Sequence, residues 1–174
     1  MGLRPARTCR TVEKVSWSRF SRRRPRKSFV KAMPHNSVQI FHMGNLTGKF
    51  DTKINLVTKG AIQARDNAIE SARQAANKFL EKALTPANFR LHLLVFPHNV
   101  IRENKMIIGA GADRLQSGMA HPYGRANDRA ARMHADQPIF TLWLNSKDLD
   151  SAKEAFRRAK CKLPGAYRIV VGAS

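Results

Sequence analysis

Several groups of residues could in principle serve catalysis or cofactor binding, but each lacks a required part. The run Gly44-Asn45-Leu46-Thr47-Gly48-Lys49 resembles a phosphate-binding loop. Three residues separate its glycines where four are needed, and Phe50 stands where a Ser or Thr would hold magnesium. The run G-A-G-A-D at residues 109–113 does not continue to a third, helix-opening glycine, so it is a weak candidate for a dinucleotide site. None of the six histidines belongs to an H-E-x-x-H motif or a similar metal-binding pair. The sequence therefore predicts no catalytic residue, no metal ion and no cofactor.

Basic side chains are the residues whose number does indicate a chemistry, namely the binding of phosphate groups. The chain has 32 Lys and Arg against 12 Asp and Glu, a formal net charge of +20. A free domain gains nothing from such self-repulsion, whereas a polyanion neutralises it. We therefore expect a nucleic-acid partner, with a merely cationic soluble protein as the alternative.

The basic residues are densest at the N-terminus. Residues 1–31 contain eleven basic residues and one acid, a net charge of +10. Trp17, Phe20 and Phe29 are interleaved with these charges and could stack on bases or dock on the body of the protein. We therefore predict that residues 1–34 form an RNA-binding arm that becomes ordered on RNA. A flexible solvated tail is the alternative, and the Arg-rich, Ser-rich composition also mimics a mitochondrial transit peptide. The predicted rRNA contacts in the arm are Arg4, Arg7, Arg10, Arg19, Arg22, Arg23, Arg24, Arg26 and Lys27.

The rest of the chain, residues 35–174, is predicted to be a single α+β domain that positions these cations. Alternating or continuous apolar runs predict strands at residues 38–43, 50–57, 89–96, 139–144 and 167–171. Helical periodicity predicts helices at 61–84 and at 147–160, the second with Ser146 as its N-cap. This order suggests a mainly antiparallel sheet with two helices on one face. Because hydrophobic residues make up 43% of the chain and aromatic residues only 7%, we expect an aliphatic, alanine-rich core.

A long segment, residues 98–137, shows only weak periodicity and contains four glycines. A loop of this length inside a compact domain is uncommon and is usually functional or disordered. We therefore expect residues 98–137 to form an inserted loop with a functional role.

Cysteine content and hydropathy narrow the class of protein further. Cys9 and Cys161 are far apart and form no C-x-x-C pair, which argues against a zinc ribbon. Two reduced thiols are favoured over a single disulfide. No apolar run approaches the roughly 20 residues of a membrane span, so we expect no membrane association.

Six short motifs, in order along nearly the whole chain, resemble a known family. They are R-P-A-R with Arg10, F-H-M-G at 41–44, A-R-Q-A-A-N-K at 72–78, V-F-P-H-N-V-I-R-E-N-K-M at 95–106, G-A-D-R-L-Q-S-G-M at 111–119 and E-A-F-R-R-A-K-C-K-L-P-G at 154–165. The pattern is similar to that of the large-subunit ribosomal protein L-ten-e of archaea and eukaryotes, a homologue of bacterial L-sixteen. One departure concerns residues 124–128, which are G-R-A-N-D where relatives commonly have G-K-P-x-G.

The resemblance implies an α/β-hammerhead fold and a non-catalytic, cytoplasmic protein of the large ribosomal subunit. It implies binding to rRNA near the A-site tRNA and the peptidyl-transferase region, with neighbouring ribosomal proteins as further partners and no small-molecule substrate. The loop at 102–119 would approach tRNA transiently. Its candidate residues are Arg102, Lys105, Arg114, Gln116 and Ser117, and further rRNA contacts are predicted at Arg125, Arg132, Arg157, Arg158, Lys160 and Lys162. For the last four, an interaction with the dipole of the second helix at its C-terminal end is the alternative. The alternatives are a free basic nucleic-acid-binding or ribosome-assembly protein and an RNA-acting enzyme.

Overall fold

A computed structural model describes residues 15–173, so the predicted contacts Arg4, Arg7 and Arg10, and also Cys9, lie outside the described residues. The fold is α+β with antiparallel sheets, as predicted. Its elements, in chain order, are β1 (Ser18–Arg19), β2 (Phe29–Val30), β3 (His42–Gly44), β4 (Thr52–Thr58), β5 (Ile62–Arg65), α1 (Asp66–Leu84), β6 (Phe89–Leu93), β7 (Asn99–Glu103), α2 (Ala112–Leu115), β8 (Arg125–Met133), β9 (Pro138–Leu144), α3 (Leu149–Lys160) and β10 (Tyr167–Ala173).

The largest sheet has five antiparallel strands in the order β10-β4-β9-β6-β3. Alternate residues on one of its faces, among them Ile54, Leu56, Leu91 and Leu142, are completely buried. They share one hydrophobic core with the apolar stripes of α1 and α3, so the two long helices cover this face, as the sequence indicated. Among residues 15–173, no helix is both long and apolar enough to cross a lipid bilayer.

Alanines dominate the buried stripes of both helices. Ala72 and Ala76 on α1, and Ala152, Ala155 and Ala159 on α3, have no exposed surface. Such small side chains let the two helix backbones approach closely, so α1 and α3 pack against each other as well as against the sheet. The expected aliphatic, alanine-rich core is therefore confirmed, although three phenylalanines, Phe89, Phe140 and Phe156, are its largest fully buried side chains.

The predicted start of the first helix, at residue 61, is wrong. Ile62–Arg65 is a strand that pairs with β8, where Ile62 lies opposite Met133 and Arg65 opposite Ala130. Nothing local prevents a helix here, so the long-range pairing decides the conformation. The helix begins at Asp66, a buried acid whose carboxylate accepts hydrogen bonds from the backbone N–H groups of Asn67 (2.8 Å) and Ser37 (2.9 Å).

The first predicted strand, at residues 38–43, is shorter in the structure, where β3 begins only at His42. The side chain of Asn36 accounts for the difference. Its amide donates to the carbonyl of Val38 (2.7 Å), and its carbonyl oxygen accepts from the N–H of Val38 (3.2 Å). Both backbone groups of Val38 are therefore engaged with a side chain and do not join a strand ladder.

Residues 98–137 are not the structureless loop that weak periodicity suggested. They contain β7, β8 and the short α2, and β8 is the central strand of a second antiparallel sheet, β5-β8-β7. Alanines and charged residues make up most of β8, which hides the usual alternation. Between β7 and β8, the irregular part is residues 104–124, interrupted only by α2. Gly124, with φ of +62°, ends it, and a Cβ there would lie 2.6 Å from the carbonyl carbon of Glu103, so this position requires glycine.

The second helix also differs at its start. Ser146 begins a 3-10 turn, and the α-helix follows from Leu149 without a side-chain cap. The hydroxyl of Ser146 lies 3.0 Å from the hydroxyl of Thr52 on β4 instead. The predicted N-cap role of Ser146 is therefore wrong, and the residue ties the helix entry to the sheet.

Candidate nucleic-acid interface

The described part of the N-terminal arm forms a small hairpin. Strands β1 and β2 pair antiparallel, with Ser18 opposite Val30, and a 3-10 turn at Pro25–Lys27 joins them. The backbone N–H of Arg24 donates to the hydroxyl of Ser21 (3.2 Å), and the N–H of Ser21 donates to that of Ser28 (3.1 Å). These bonds fix the turn of a hairpin that has no acid between residues 19 and 27 and carries six exposed predicted contacts, namely Arg19, Arg22, Arg23, Arg24, Arg26 and Lys27.

Two arginines of the second sheet hold the residues that flank this hairpin against the body. The guanidinium of Arg102 on β7 lies 5.0 Å from the ring centroid of Trp17, and Arg129 on β8 donates to the carbonyl of Pro34 (2.6 Å). The interleaved Trp17 therefore docks on the body, one of the two roles considered for the aromatic residues of the arm.

Arg102 also closes the loop at residues 104–124. Its Nε donates to the carbonyl of Tyr123 (2.9 Å) and its Nη2 to that of Gly124 (2.6 Å). Sequence resemblance assigned Arg102 to the surface that approaches tRNA. In the structure, its guanidinium is half-buried and is used to hold the base of the loop.

Within the loop, Gln116 plays a similar positioning role. Its side-chain oxygen accepts from the N–H of Ile107 (2.8 Å) and its amide donates to the carbonyl of the same residue (2.9 Å). Lys105, Gln116, Ser117 and Arg125 line one cavity of about 520 Å³, whereas Arg114 is exposed on α2 outside it. The loop is therefore braced internally, with its basic side chains at the surface.

The loop also exposes an unusual amount of apolar surface. Ile108 is 85% exposed and Tyr123 74%, with Leu115 and Met119 also exposed. A core-packing role does not explain these side chains, because they bury little against the protein. Exposed apolar groups beside cations are suited to contact with a partner.

The second cationic surface is a groove of about 510 Å³ between α1 and α3. Its lining residues are Ala75, Lys78, Phe79, Lys82, Arg157, Arg158, Cys161 and Lys162. Five of these eight are basic and none is acidic. Cys161 is a free, exposed thiol. The structure thus brings the predicted contacts Arg157, Arg158 and Lys162 together, whereas Lys160 is exposed outside the groove.

One acid, Glu154, orients two of these arginines. Its carboxylate accepts from Nε of Arg157 (2.6 Å) and Nε of Arg158 (2.9 Å), and the Arg158 guanidinium lies 4.2 Å from the ring centroid of Phe79. Hydrogen bonds from Arg157 and then Arg158 lower the pKa of Glu154 to about 2. The acid stays ionised at neutral pH and neutralises one of five positive charges, so the groove remains strongly cationic.

Lys78 and Lys82 were not predicted as part of this cluster from the sequence, because they lie on the other helix, about 80 residues from Arg157 and Arg158. Their spacing of four residues does place them on one face of α1, next to Phe79. That signal shows a basic helix face but not which helix lies against it.

The two remaining predicted contacts lie on β8. Arg125 is exposed and pairs in register with Glu103, and Arg132 is half-buried opposite Gln63. A nearby ion pair, Arg65 to Asp128 at 2.8 Å, links β5 to β8. These positions are separate in the chain from the groove between the helices.

A family model and several related proteins place this sequence in the same family. The model of the family "Ribosomal protein L16p/L10e" matches residues 18–170. Proteins named large ribosomal subunit protein uL16 are similar to the chain: the Archaeoglobus fulgidus protein is 40% identical over 155 residues, covering 89% of each chain. The Methanococcus maripaludis protein is 41% identical over 98% of this chain and 95% of its own, and the Thermofilum pendens protein is 42% identical over 98% of both. Since both the family model and these relatives span most of the sequence, the chain belongs to the ribosomal protein L16p/L10e family.

Proposed function

We propose that the chain is a structural constituent of the large ribosomal subunit and that its basic surfaces bind ribosomal RNA. The observation that carries this proposal is the groove between α1 and α3, where five cationic side chains face a single acid. Lys and Arg side chains in a concave surface neutralise phosphate groups and release their counterions, which supplies most of the affinity for RNA.

The hairpin tip supplies a second contact. Its six cations project on a turn only a few residues wide, so it can enter RNA where the bulk of the domain does not fit. Trp17 and Arg102 fix the base of the hairpin and thereby aim the tip. Arg125, Arg132 and Lys160 extend the proposed contact surface, as do Arg4, Arg7 and Arg10 in the N-terminal segment.

We further propose that the loop at residues 104–124 contacts tRNA transiently. Lys105, Arg114 and Ser117 present exposed side chains, while Arg102 and Gln116 hold the backbone in place. A braced loop loses less conformational entropy on contact than a flexible one, which suits a brief and repeated interaction.

The proposed role is binding rather than catalysis, with neighbouring ribosomal proteins as further partners, no small-molecule substrate, and a place in the cytoplasm as part of the subunit. The rival function is that of a free basic nucleic-acid-binding or assembly protein. Such a protein shares the positive charge but dissociates from the mature subunit at high salt.

Sedimentation of cell extracts through a high-salt sucrose gradient separates the two functions. We expect the protein to remain with the large subunit. We expect the variant with Lys78→Gln and Lys82→Gln to be partly released, while a surface variant of equal charge change, Lys147→Gln with Lys153→Gln, stays bound. Release of the unchanged protein at high salt would contradict integral membership in the subunit.

A further inference from the structure

The face of the five-stranded sheet that points away from the helices carries a second set of rings and cations. Two rows of residues cross the sheet in register on this face. The first row is Gly172, Lys53, Trp143, Arg90 and Gly44, and the second is Val170, Asn55, Thr141, His92 and His42. We call these ten residues the open face. None of them is acidic, whereas the alternate residues of the same strands form the buried core.

Trp143 lies between two cations. The Nζ of Lys53, on β4, is 5.7 Å from the indole centroid. The guanidinium carbon of Arg90, on β6, is 4.8 Å from an indole ring centroid. Neither cation forms an ion pair or a hydrogen bond with another group among residues 15–173, and the Nε of Arg90 is buried without a partner. By contrast, Arg65 and Arg73, which also lie on elements that pack on the core, are paired with acids.

Two unneutralised cations held by one ring repel each other. Cation–π contact offsets only part of that repulsion. An anionic partner removes it, and none of the ten residues of the open face is an acid that could do so. The charge of the open face is therefore complementary to a polyanion and not to the rest of this basic chain.

A second ring stack lies beside the first row. The imidazoles of His42 and His92 are stacked with centroids 4.0 Å apart and planes within 21°, and His92 continues toward Trp143 at 6.3 Å. Burial, then His42 and Arg90, lower the pKa of His92, which favours the neutral form of its ring. His42 is exposed on the edge strand β3, and among residues 15–173 no ring other than that of His92 stacks on it.

We propose that the open face binds unpaired RNA nucleotides, with their phosphates against Lys53 and Arg90 and a base stacked on His42. This inference rests on the proposed function, because the natural source of such RNA is the ribosomal subunit. Unpaired RNA is favoured over a duplex because base faces are available for stacking only where strands are unpaired. A protein sheet of comparable width accommodates about two or three stacked bases.

The test measures binding of the full-length protein to two probes, a single-stranded decauridylate and a blunt RNA duplex of equal length. The sheet variant carries Lys53→Gln and Arg90→Gln, and the groove variant, with the same charge change, carries Lys78→Gln and Lys82→Gln. Loss of two phosphate contacts lowers the salt slope for single strands by about 1.4. We therefore expect the sheet variant to bind decauridylate about tenfold or more weakly and the duplex with a smaller loss. His42→Ala removes one stacked base and lowers single-strand affinity by about fivefold or more.

Fluorescence keeps the proposal testable even if the sheet variant folds poorly. In the Trp17→Phe protein, Trp143 is the only tryptophan. We expect decauridylate to quench its emission and to shield it from acrylamide.

Other outcomes would separate the proposal for the open face from the proposed function. The proposal is overturned if the sheet variant and His42→Ala both bind decauridylate within about twofold of the unchanged protein and the emission of Trp143 does not respond to RNA. If the groove variant still loses binding in that case, the proposed function stands. If the unchanged protein binds neither probe, both fall. If Trp143 is shielded only in the assembled subunit, and by a ribosomal protein, the face belongs to a protein partner and the proposal is wrong.

Discussion

Arg102 and Trp17 connect two segments that are far apart in the sequence, because the guanidinium of Arg102 lies 5.0 Å from the indole centroid of Trp17. The same guanidinium donates hydrogen bonds to the carbonyls of Tyr123 and Gly124. One side chain therefore joins the basic hairpin to both ends of the projecting loop. Because the hairpin and the loop both belong to the proposed interface, the relative position of these two parts depends on this contact.

Substitution of Arg102 should loosen both segments. Arg102→Ala removes two charged hydrogen bonds and the ring contact, and we expect the free energy of unfolding to fall by about 1–3 kcal/mol. Trypsin should cleave the hairpin at residues 19–27 faster than in the unchanged protein. Arg114→Ala, an exposed control, should change stability by less than about 0.5 kcal/mol. Equal cleavage rates for Arg102→Ala and the unchanged protein would show that this contact does not hold the hairpin.

The hydrogen bonds between Gln116 and Ile107 should protect the loop backbone locally without adding much to the stability of the whole domain. Gln116→Ala leaves the N–H and the carbonyl of Ile107 to water, so hydrogen exchange of the Ile107 amide should accelerate about tenfold. The melting temperature should hardly change, because residue 107 is near the surface of the loop. Ser117→Ala is the matched control. A slow Ile107 amide in Gln116→Ala would mean that another group protects it.

Deletion of residues 105–118 tests the function of the loop. The large apolar side chains removed, Met106, Ile107, Ile108 and Leu115, are all exposed, so we expect little loss of stability and normal incorporation into the subunit. The rate of A-site tRNA accommodation should fall. The measurements are the melting temperature, the subunit occupancy and the accommodation rate. An unchanged rate at full occupancy would leave the loop without the proposed role.

The ion pairs beside the groove predict that Glu154 titrates at an unusually acidic pH. Because the pKa of Glu154 is lowered from 4.5 to about 2, its ion pairs stabilise the fold at pH values above 4.5. This contribution is lost as the pH falls toward 2. Carbon-13 NMR of the Glu154 carboxyl should give a midpoint near the lowered value, and Arg157→Gln should raise it. Titration of Glu154 at its ordinary value in the unchanged protein would contradict the pairing with Arg157 and Arg158.

Salt dependence tests the polyanion argument directly. If about ten phosphates are neutralised, the slope of log K against log salt should lie near −7 to −9. The variant with Lys78→Gln and Lys82→Gln should have a slope shallower by about 1.4 to 1.8, since two contacts are removed. A filter-binding titration measures both slopes. A slope near zero for the unchanged protein would exclude phosphate contacts as the source of affinity.

The sequence predicted the elements with strong local patterns and missed those decided by distant partners. The helix stripe with Ile69, Ala72 and Leu80 and the alternating strand at β4 were evident. Strand β8 was not, because its alanines and charged residues carry no clear period, and β5 was assigned to a helix that only pairing with β8 prevents. Side-chain bonds such as Asn36 to Val38 shortened β3 in a way that composition does not reveal.

In the candidate interface as well, residues in local clusters were predicted from the sequence, whereas those whose role depends on distant partners were not. Arg157, Arg158 and Lys162 of the groove were predicted as rRNA contacts from the basic cluster that they form in the sequence and from the family resemblance. Lys78 and Lys82 were missed because their contribution depends on how α1 and α3 pack. Arg102 and Gln116 were assigned to the loop near tRNA, and the hydrogen bonds in the structure add that their side chains hold the loop backbone in place.

Strand β9 lies in the middle of the five-stranded sheet, yet both of its neighbours, β4 and β6, precede it in the chain. During synthesis, β4 and β6 leave the ribosome before the strand that joins them exists. Until residues 138–144 emerge, their edges are unpaired, and the apolar residues Ile54, Leu56 and Leu91 have no completed sheet to cover. Open strand edges promote pairing between chains. The mutual repulsion of nascent chains with a large positive charge opposes such pairing. We therefore expect the charge that is proposed to bind RNA in the folded protein also to oppose aggregation of the unfinished chain.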